Sequence, residues 1–317
     1  MLSDLAKNIL TTVVYYDVLD YPLTVFEMEK YLIRAEMQNP GAEEKLDLVQ
    51  TMRVLESEEL KNLIEKYQGF YFLPNRQELV AQRLERNKIS EKKIKIALRV
   101  VRWLRFVPYL KMVAITGRLA MKNAEVKSDL DLLVIIKKDK LFTGRFLVTA
   151  LVHLMGQRRY GEKIKNRICL NHFLTDEFLT ETQSLFSANE YSFLLPVFGN
   201  FSGFYAKNSW IKEFKPNFCE DLESAKNMKD SLFSKTVRSF FEKILDFKFV
   251  EDALSHWQKE KIRKNPKTSQ KGSVIICNEK ELAFWPNFEN QETKIFEKFS
   301  QKLEALWEKN RKFGRMA

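Results

Sequence analysis

Cysteine and histidine are both scarce in this chain of 317 residues, which has three of each. Cys169, Cys219 and Cys277 stand too far apart for a zinc-finger spacing and are an odd number, so neither a structural zinc site nor a disulfide framework is expected. A reducing, cytoplasmic setting follows most simply. His153, His172 and His256 are equally dispersed, and His153 and His256 read as helix-face residues rather than ligands. No apolar run reaches the roughly 18 residues that span a bilayer, and Met1 to Lys7 lack the basic-then-apolar plan of a secretory signal. No internal repeat or low-complexity block stands out.

What the chain does have is apolar mass and positive charge. Hydrophobic residues make up 45% and phenylalanine alone contributes 25, which marks a globular protein with real cores. The length allows two or three domains. A net charge of +11 favours polyanionic company such as nucleotides, nucleic acid or a membrane surface, although lysines on helices also serve as a solubilising coat.

The first 75 residues predict three helices and a hairpin. Leu5, Ile9, Val13 and Tyr16 recur at helical spacing, Asp20 to Thr24 breaks the helix, and Thr24 with Glu27 forms a capping box that opens a second helix to about Leu32. Asn39-Pro40-Gly41 is a turn. A third helix is expected over 43–55 with Leu46, Val49, Met52 and Val54 or Leu55 inward, followed by a hairpin over 63–73. This is the winged-helix order. The third helix carries Glu43, Glu44, Asp47, Glu56, Glu58 and Glu59 against only Lys45 and Arg53, so phosphates would repel it, and a structural or protein-docking role is expected ahead of DNA reading. Residues 76–106 then form basic helices whose stripe of Ile94, Leu98, Val101 and Leu104 packs inward, leaving a cationic face on which a polyanion could lie.

The chemistry concentrates in Ile115-Thr116-Gly117-Arg118 and Ser128-Asp129-Leu130-Asp131. Lys111 to Thr116 is a short apolar strand ending at a glycine, and Leu119 to Ala124 opens a helix, so backbone amides at that junction can face an anion. On the following strand, side chains alternate with period two, which points Asp129 and Asp131 to one face. Paired carboxylates of this kind suit a hard divalent cation.

These residues resemble the polymerase-beta-like nucleotidyltransferase superfamily, whose signature is a hydrophobic residue and Gly, then Gly or Ser, a spacer, and Asp-hydrophobic-Asp-hydrophobic. Gly117, the spacer, Asp129, Leu130, Asp131 and Leu132 match it over roughly residues 110–175. The whole chain is also similar to bacterial proteins that carry this domain behind a winged-helix-like segment. The resemblance implies Mg2+ on Asp129 and Asp131, an ATP-like nucleoside triphosphate bound by Thr116, Gly117, Arg118 and Ser128, and transfer of a nucleoside monophosphate to an acceptor hydroxyl. That hydroxyl could belong to a small molecule, a protein or a nucleic-acid end. Two positions differ from the family's pattern. Arg118 replaces the small residue after the glycine, and the strand 167–174, where the family has a third acid, contains none. Asn171 is the candidate for that position, His172 on the opposite face is another, and Asp176 and Glu177 lie just beyond.

Further on, Leu141 to Met155 predicts an amphipathic helix, and Arg158, Arg159, Lys163, Lys165 and Arg167 cluster before the 167–174 strand, either as a solvated loop or as a binding element for triphosphate or acceptor. Residues 189–198 and 210–214 read as helical, 231–262 as one or two helices, 259–267 as a lysine-rich mobile linker, 273–284 as a hairpin, Pro286-Asn287 as an anchoring turn and 291–309 as a last helix. The expected fold class is α+β: a nucleotidyltransferase-type mixed sheet with helices over 76–177, flanked by a winged-helix-like module (1–75) and a mostly helical C-terminal region with a small hairpin (178–317). The alternatives are a catalytically silent nucleotide-binding or regulatory protein of that fold, and a nucleic-acid-binding regulator.

Overall fold

The computed structural model describes residues 2–34, 47–177, 180, 183–219, 227–285 and 288–313. The helical spacing at the start becomes α1 (Asp4–Val18), whose first turn is capped by the Ser3 hydroxyl accepting from the Ala6 amide. After β1 (Leu23–Thr24), the expected capping box is present: Thr24 accepts from the Glu27 amide and Glu27 accepts from the Thr24 amide at 3.0 Å, opening α2 (Val25–Lys30). α3 (Leu48–Leu55) is rotated from the expected register, burying Thr51 and Leu55 while Val49 and Met52 are 48% and 40% exposed. Thr51 and Leu55 stand one turn apart on one face, whereas Val49 and Met52 share another. Leu46 and the turn at 39–41 lie outside the described residues. β2 (Glu65–Tyr67) and β3 (Phe70–Phe72) form the hairpin around Gln68-Gly69, where both residues have positive φ, and β3 is the centre of a small β1-β3-β2 antiparallel sheet.

One continuous helix, α4 (Glu78–Leu104), follows and lays Ile94, Ala97, Val101 and Leu104 on the main sheet. That sheet is mixed and six-stranded in the order β7-β4-β5-β6-β9-β8, with β4 (Leu110–Ile115), β5 (Leu130–Ile136), β6 (Ile168–Thr175), β7 (Leu195–Gly199), β8 (Val274–Cys277) and β9 (Glu281–Trp285). Only β5 and β6 run parallel, joined across α6 (Leu141–Leu154). β5 is buried on both faces. Leu130, Leu132, Val134 and Ile136 meet α4 and α6, while Leu133 and Ile135 join a second core shared with α1 and the small sheet. α6 can approach closely because Gly144 has no side chain; a Cβ there would stand 2.5 Å from Ile136.

Two sequence expectations change in the C-terminal half. Residues 189–198 are not one helix: α7 (Leu185–Ser192) ends and β7 begins, because the apolar run through Phe198 pairs with the edge of β4, and an edge strand tolerates Pro196. Nor is 259–263 a linker. It completes α11 (Lys248–Arg263), where Gln258 is buried and Glu260 pairs with Arg263 and Lys264 one turn on. Short helices α8 (Phe201–Lys207) and α9 (Ile211–Phe214), then α10 (Leu232–Ile244), precede it, and α12 (Phe288–Phe313) follows the β8-β9 hairpin, which joins the main sheet. Residues 286–287 lie outside the description. The fold is thus mixed α+β, and no helix among the described residues is long and apolar enough to cross a membrane.

The N-terminal module is fastened to the sheet domain by a buried polar knot. The Tyr16 hydroxyl donates to Asn189 Oδ1 at 2.7 Å, and the fully buried Lys215 donates to both, at 2.6 and 2.8 Å, beneath the rings of Tyr31 and Phe193. Burial holds the Lys215 ammonium well below the usual lysine range. The unfolded chain therefore binds a proton that the folded chain releases, so this group adds stability as pH rises toward the ordinary lysine pKa and removes it as pH falls. Between about pH 7 and 9 the chemical-denaturation midpoint of the wild type should rise more than that of Lys215→Met, where Tyr16 and Asn189 still satisfy each other. Parallel pH profiles would show that Lys215 is solvated.

Candidate metal centre

The site forms where β4 turns over into the short helix α5 (Gly117–Ala120). Thr116 is buried and its amide donates to the Asp131 carbonyl at 3.0 Å, so the bend is tied to the neighbouring strand. Gly117 adopts φ +62°, and a Cβ on it would stand 3.3 Å from Asp131 Oδ2, closer than ordinary contact. The glycine thus does two things: it turns the chain and leaves room for a carboxylate. The loop leading into β5 is held from below by Lys93, whose ammonium donates to the carbonyls of Ser128 and Val126 at 2.7 and 3.2 Å and to Asn166 Oδ1 at 2.7 Å.

Asp129, at the mouth of β5, and Asp131, inside it, point to one place. With the thiol of Cys169 they offer three possible ligand atoms, all within 4.8 Å of one another. Cys169 is opposite Asp131 in the β5–β6 register, and three residues of β6 then span two of β5, a bulge that ends with His172 opposite Leu133. Within that bulge the Asn171 amide reaches Asp131 Oδ1 at a long 3.5 Å. Arg159 closes the site from outside, pairing with Asp129 and donating to Cys169 Sγ at 3.5 Å.

Electrostatics make this a stressed cluster. Burial, followed by the charges of Asp129 and Glu190, lifts the Asp131 carboxyl to about 7, with the Cys169 thiol and Arg159 acting in the opposite direction. Glu190 of α7 is itself raised by burial, although His172 and the Thr116 hydroxyl favour its charged form. Burial and the two aspartates push the Cys169 thiol far up, so the thiol stays protonated and the carboxylates are the better match for a hard cation. A divalent cation fits this donor set because it would relieve the repulsion between the acids.

Several candidates are occupied elsewhere. Arg118 turns away to Glu125 at 2.9 Å, which also holds Arg86 at 3.2 Å, so its guanidinium does not lie across Asp131. Ser128 donates its hydroxyl to the Glu125 carbonyl at 2.8 Å. His172 faces Glu281 at 2.9 Å in the core. Asp176 and Glu177 follow the far end of β6, roughly 23 Å along the strand from Cys169, where they bind the Lys138 amide and ammonium at 2.8 and 2.9 Å. Three participants escape the sequence pattern. Cys169 could be found from strand periodicity, two residues before Asn171; Arg159 was one of a basic cluster with nothing to single it out; and Glu190 carries no local signal.

On the other side of Gly117, a cavity of about 310 Å³ is lined by Gly117, Arg118, Asn123 and Glu190 together with Leu19 and Asp20 of the N-terminal module. The chain matches no family model, no curated protein and no solved structure.

Because a cation held at Asp129 would compete with Arg159 for the same carboxylate, Arg159→Met should tighten Mn2+ binding about two- to fivefold, the size of a partly exposed ion pair. Asp129→Asn and Asp131→Asn should weaken it sharply. Titration calorimetry checks this; weaker Mn2+ binding in Arg159→Met would show that the arginine organises the site rather than occupying it.

Proposed function

We propose that this chain is a nucleotidyltransferase of the polymerase-beta-like type, with Mg2+ held by Asp129 and Asp131 and a nucleoside triphosphate seated against the Gly117 bend. The observation that carries the reading is the fit of Gly117 against Asp131, where the absent Cβ leaves a carboxylate oxygen facing the bend. A bound Mg2+ would neutralise triphosphate oxygens and stabilise charge on the leaving pyrophosphate. Thr116 and Gly117 fix the bend, Arg118 stands in the cavity wall where its guanidinium can swing from Glu125 to phosphate, and Asp131 orients the cation. Glu190 supplies the third carboxylate that β6 lacks. Its charge acts on Asp131 and it is not one of the cation's three possible ligands, which suits it to take the acceptor's proton.

The order of α1, β1, α2, α3 and the β2-β3 hairpin supports a winged-helix-like reading of the first 75 residues. Leu19 and Asp20 give this module a wall in the nucleotide cavity, which favours a structural role over DNA reading. A second functional reading, a silent nucleotide-binding or regulatory protein, is favoured by one observation: the Arg159 guanidinium already neutralises Asp129.

Transfer of label from an α-labelled triphosphate separates the two. Under the enzyme reading, Asp131→Asn lowers transfer by about a hundredfold or more, and Glu190→Gln lowers it by about tenfold or more with triphosphate affinity retained. Gly117→Val weakens magnesium-dependent triphosphate binding through strain and the clash with Asp131. Binding without any transfer, unaffected by Glu190→Gln, would support the silent reading. Triphosphate affinity indifferent to magnesium and to both aspartates would sink both.

A further inference from the structure

On the α6 side of the sheet, a second cavity of about 520 Å³ opens between α6, α11 and the strands β6, β8 and β9. Its shape is set by a locked pair of helices. Glu251 of α11 accepts the amides of Phe142 and Thr143 at the start of α6, at 2.8 and 2.9 Å, which caps that helix with a carboxylate. Gln258, about two turns further along the same face of α11, donates to the Phe142 carbonyl at 2.8 Å and accepts from Arg145 at 2.5 Å. The floor is therefore preformed.

The lining is cationic and aromatic. Arg145, Arg158, Arg159 and Lys261 contribute four positive side chains, and among the described residues the wall holds no carboxylate. Arg159 is committed to Asp129, but Arg145, Arg158 and Lys261 have no carboxylate partner among the described residues. Arg145 is the most constrained. Its Nε is buried without an acceptor, and its guanidinium rests 4.9 Å from the Phe284 ring centre. Burial and the neighbouring Arg158 draw its pKa down to about 10, as expected for a desolvated cation lacking an anion. Flat apolar surfaces complete the wall, with Phe146 and Trp257 edge-to-face at 6.2 Å and Phe284 also lining it.

The cavity also reaches the acid cluster. Cys169, Asn171 and Arg159 line it and are the same residues that contact or flank the aspartates, so Asp131 has the Gly117 bend at one oxygen and Asn171 at the other. We propose that this second cavity is the acceptor pocket and takes a small aromatic anion: its ring between Trp257, Phe146 and Phe284, its acid group on Arg145, Arg158 and Lys261, and its hydroxyl toward Asn171. The acceptor role rests on the nucleotidyltransferase reading. In the reaction, the acceptor oxygen bonds to the α-phosphorus as the bond to the bridging oxygen breaks, pyrophosphate leaves with the electron pair, and the hydroxyl proton passes to the carboxylates around Asp131, of which Glu190 is not needed for the cation.

The test is calorimetric titration of the full chain with 4-hydroxybenzoate, phenyl phosphate and, as the uncharged comparator, phenol. At least one anion should bind about tenfold or more tightly than phenol, and that advantage should be lost in Arg145→Met and in the more accessible Arg158→Met. Which anion binds more tightly assigns a carboxylate or a phosphate as the recognised group. Magnesium-dependent triphosphate affinity should be unchanged in both variants. Anions that bind no better than phenol, or equally well to both variants, would overturn the proposal while leaving the nucleotide reading intact. Anion binding sensitive to Arg145 in a chain that binds no triphosphate would instead remove the nucleotide reading and, with it, the acceptor role.

Discussion

Asp131 is buried at the start of β5 with the charges of Asp129 and Glu190 acting on it, and the cost of that burial shapes what surrounds it. Asp131 cannot be both buried and fully charged beside Asp129 and Glu190 without compensation, which comes from a thiol hydrogen on one side and the Arg159 guanidinium on another, while the Gly117 bend leaves room in front. An isolated cluster of this kind would destabilise the sheet. It is tolerated because β5 is otherwise apolar on both faces, so the strand is held by Leu130 and by Leu132 to Ile136 whatever charge sits at its mouth. The cluster is thus the electrostatically stressed end of a well-packed element.

The same logic explains why the flanking elements matter. Glu190 is carried to the cluster by α7, which is pinned through Asn189 to Tyr16 of α1 and to Lys215 beyond α9. The N-terminal module thereby fixes the position of the third acid and lends Leu19 and Asp20 to the cavity beside it. On the opposite face, Glu251 and Gln258 place α11 against α6 and create the cationic cavity behind Asn171. Asp131 is the residue where these two constructions meet.

Elements governed by local patterns were legible in the sequence. The capping box at Thr24, the Gln68-Gly69 hairpin, the inward stripe of α4 and the strand carrying Asp131 all follow from spacing and turn chemistry. Elements decided by tertiary pairing were not. Residues 195–198 have an apolar run compatible with helix, and only the free edge of β4 makes them a strand; Val49 and Met52 look inward until the rotation of α3 is known. The candidate site divides in the same way. Asp129, Asp131 and Gly117 are close in sequence and could be assembled on paper, while Glu190 arrives from sixty residues away on a helix with no motif. The role of Arg118 was equally hidden, because its partner Glu125 sits in a loop whose path no pattern dictates.

The most direct measurement is the anomalous scattering of Mn2+ in crystals of the chain grown with a non-hydrolysable nucleoside triphosphate. The expected result is a single strong peak between the Asp129 and Asp131 carboxylates, with Arg159 displaced and phosphate density against Gly117. Density showing Arg159 still seated on Asp129, with no manganese between the aspartates, would contradict the assignment of this cluster as a cation and nucleotide site.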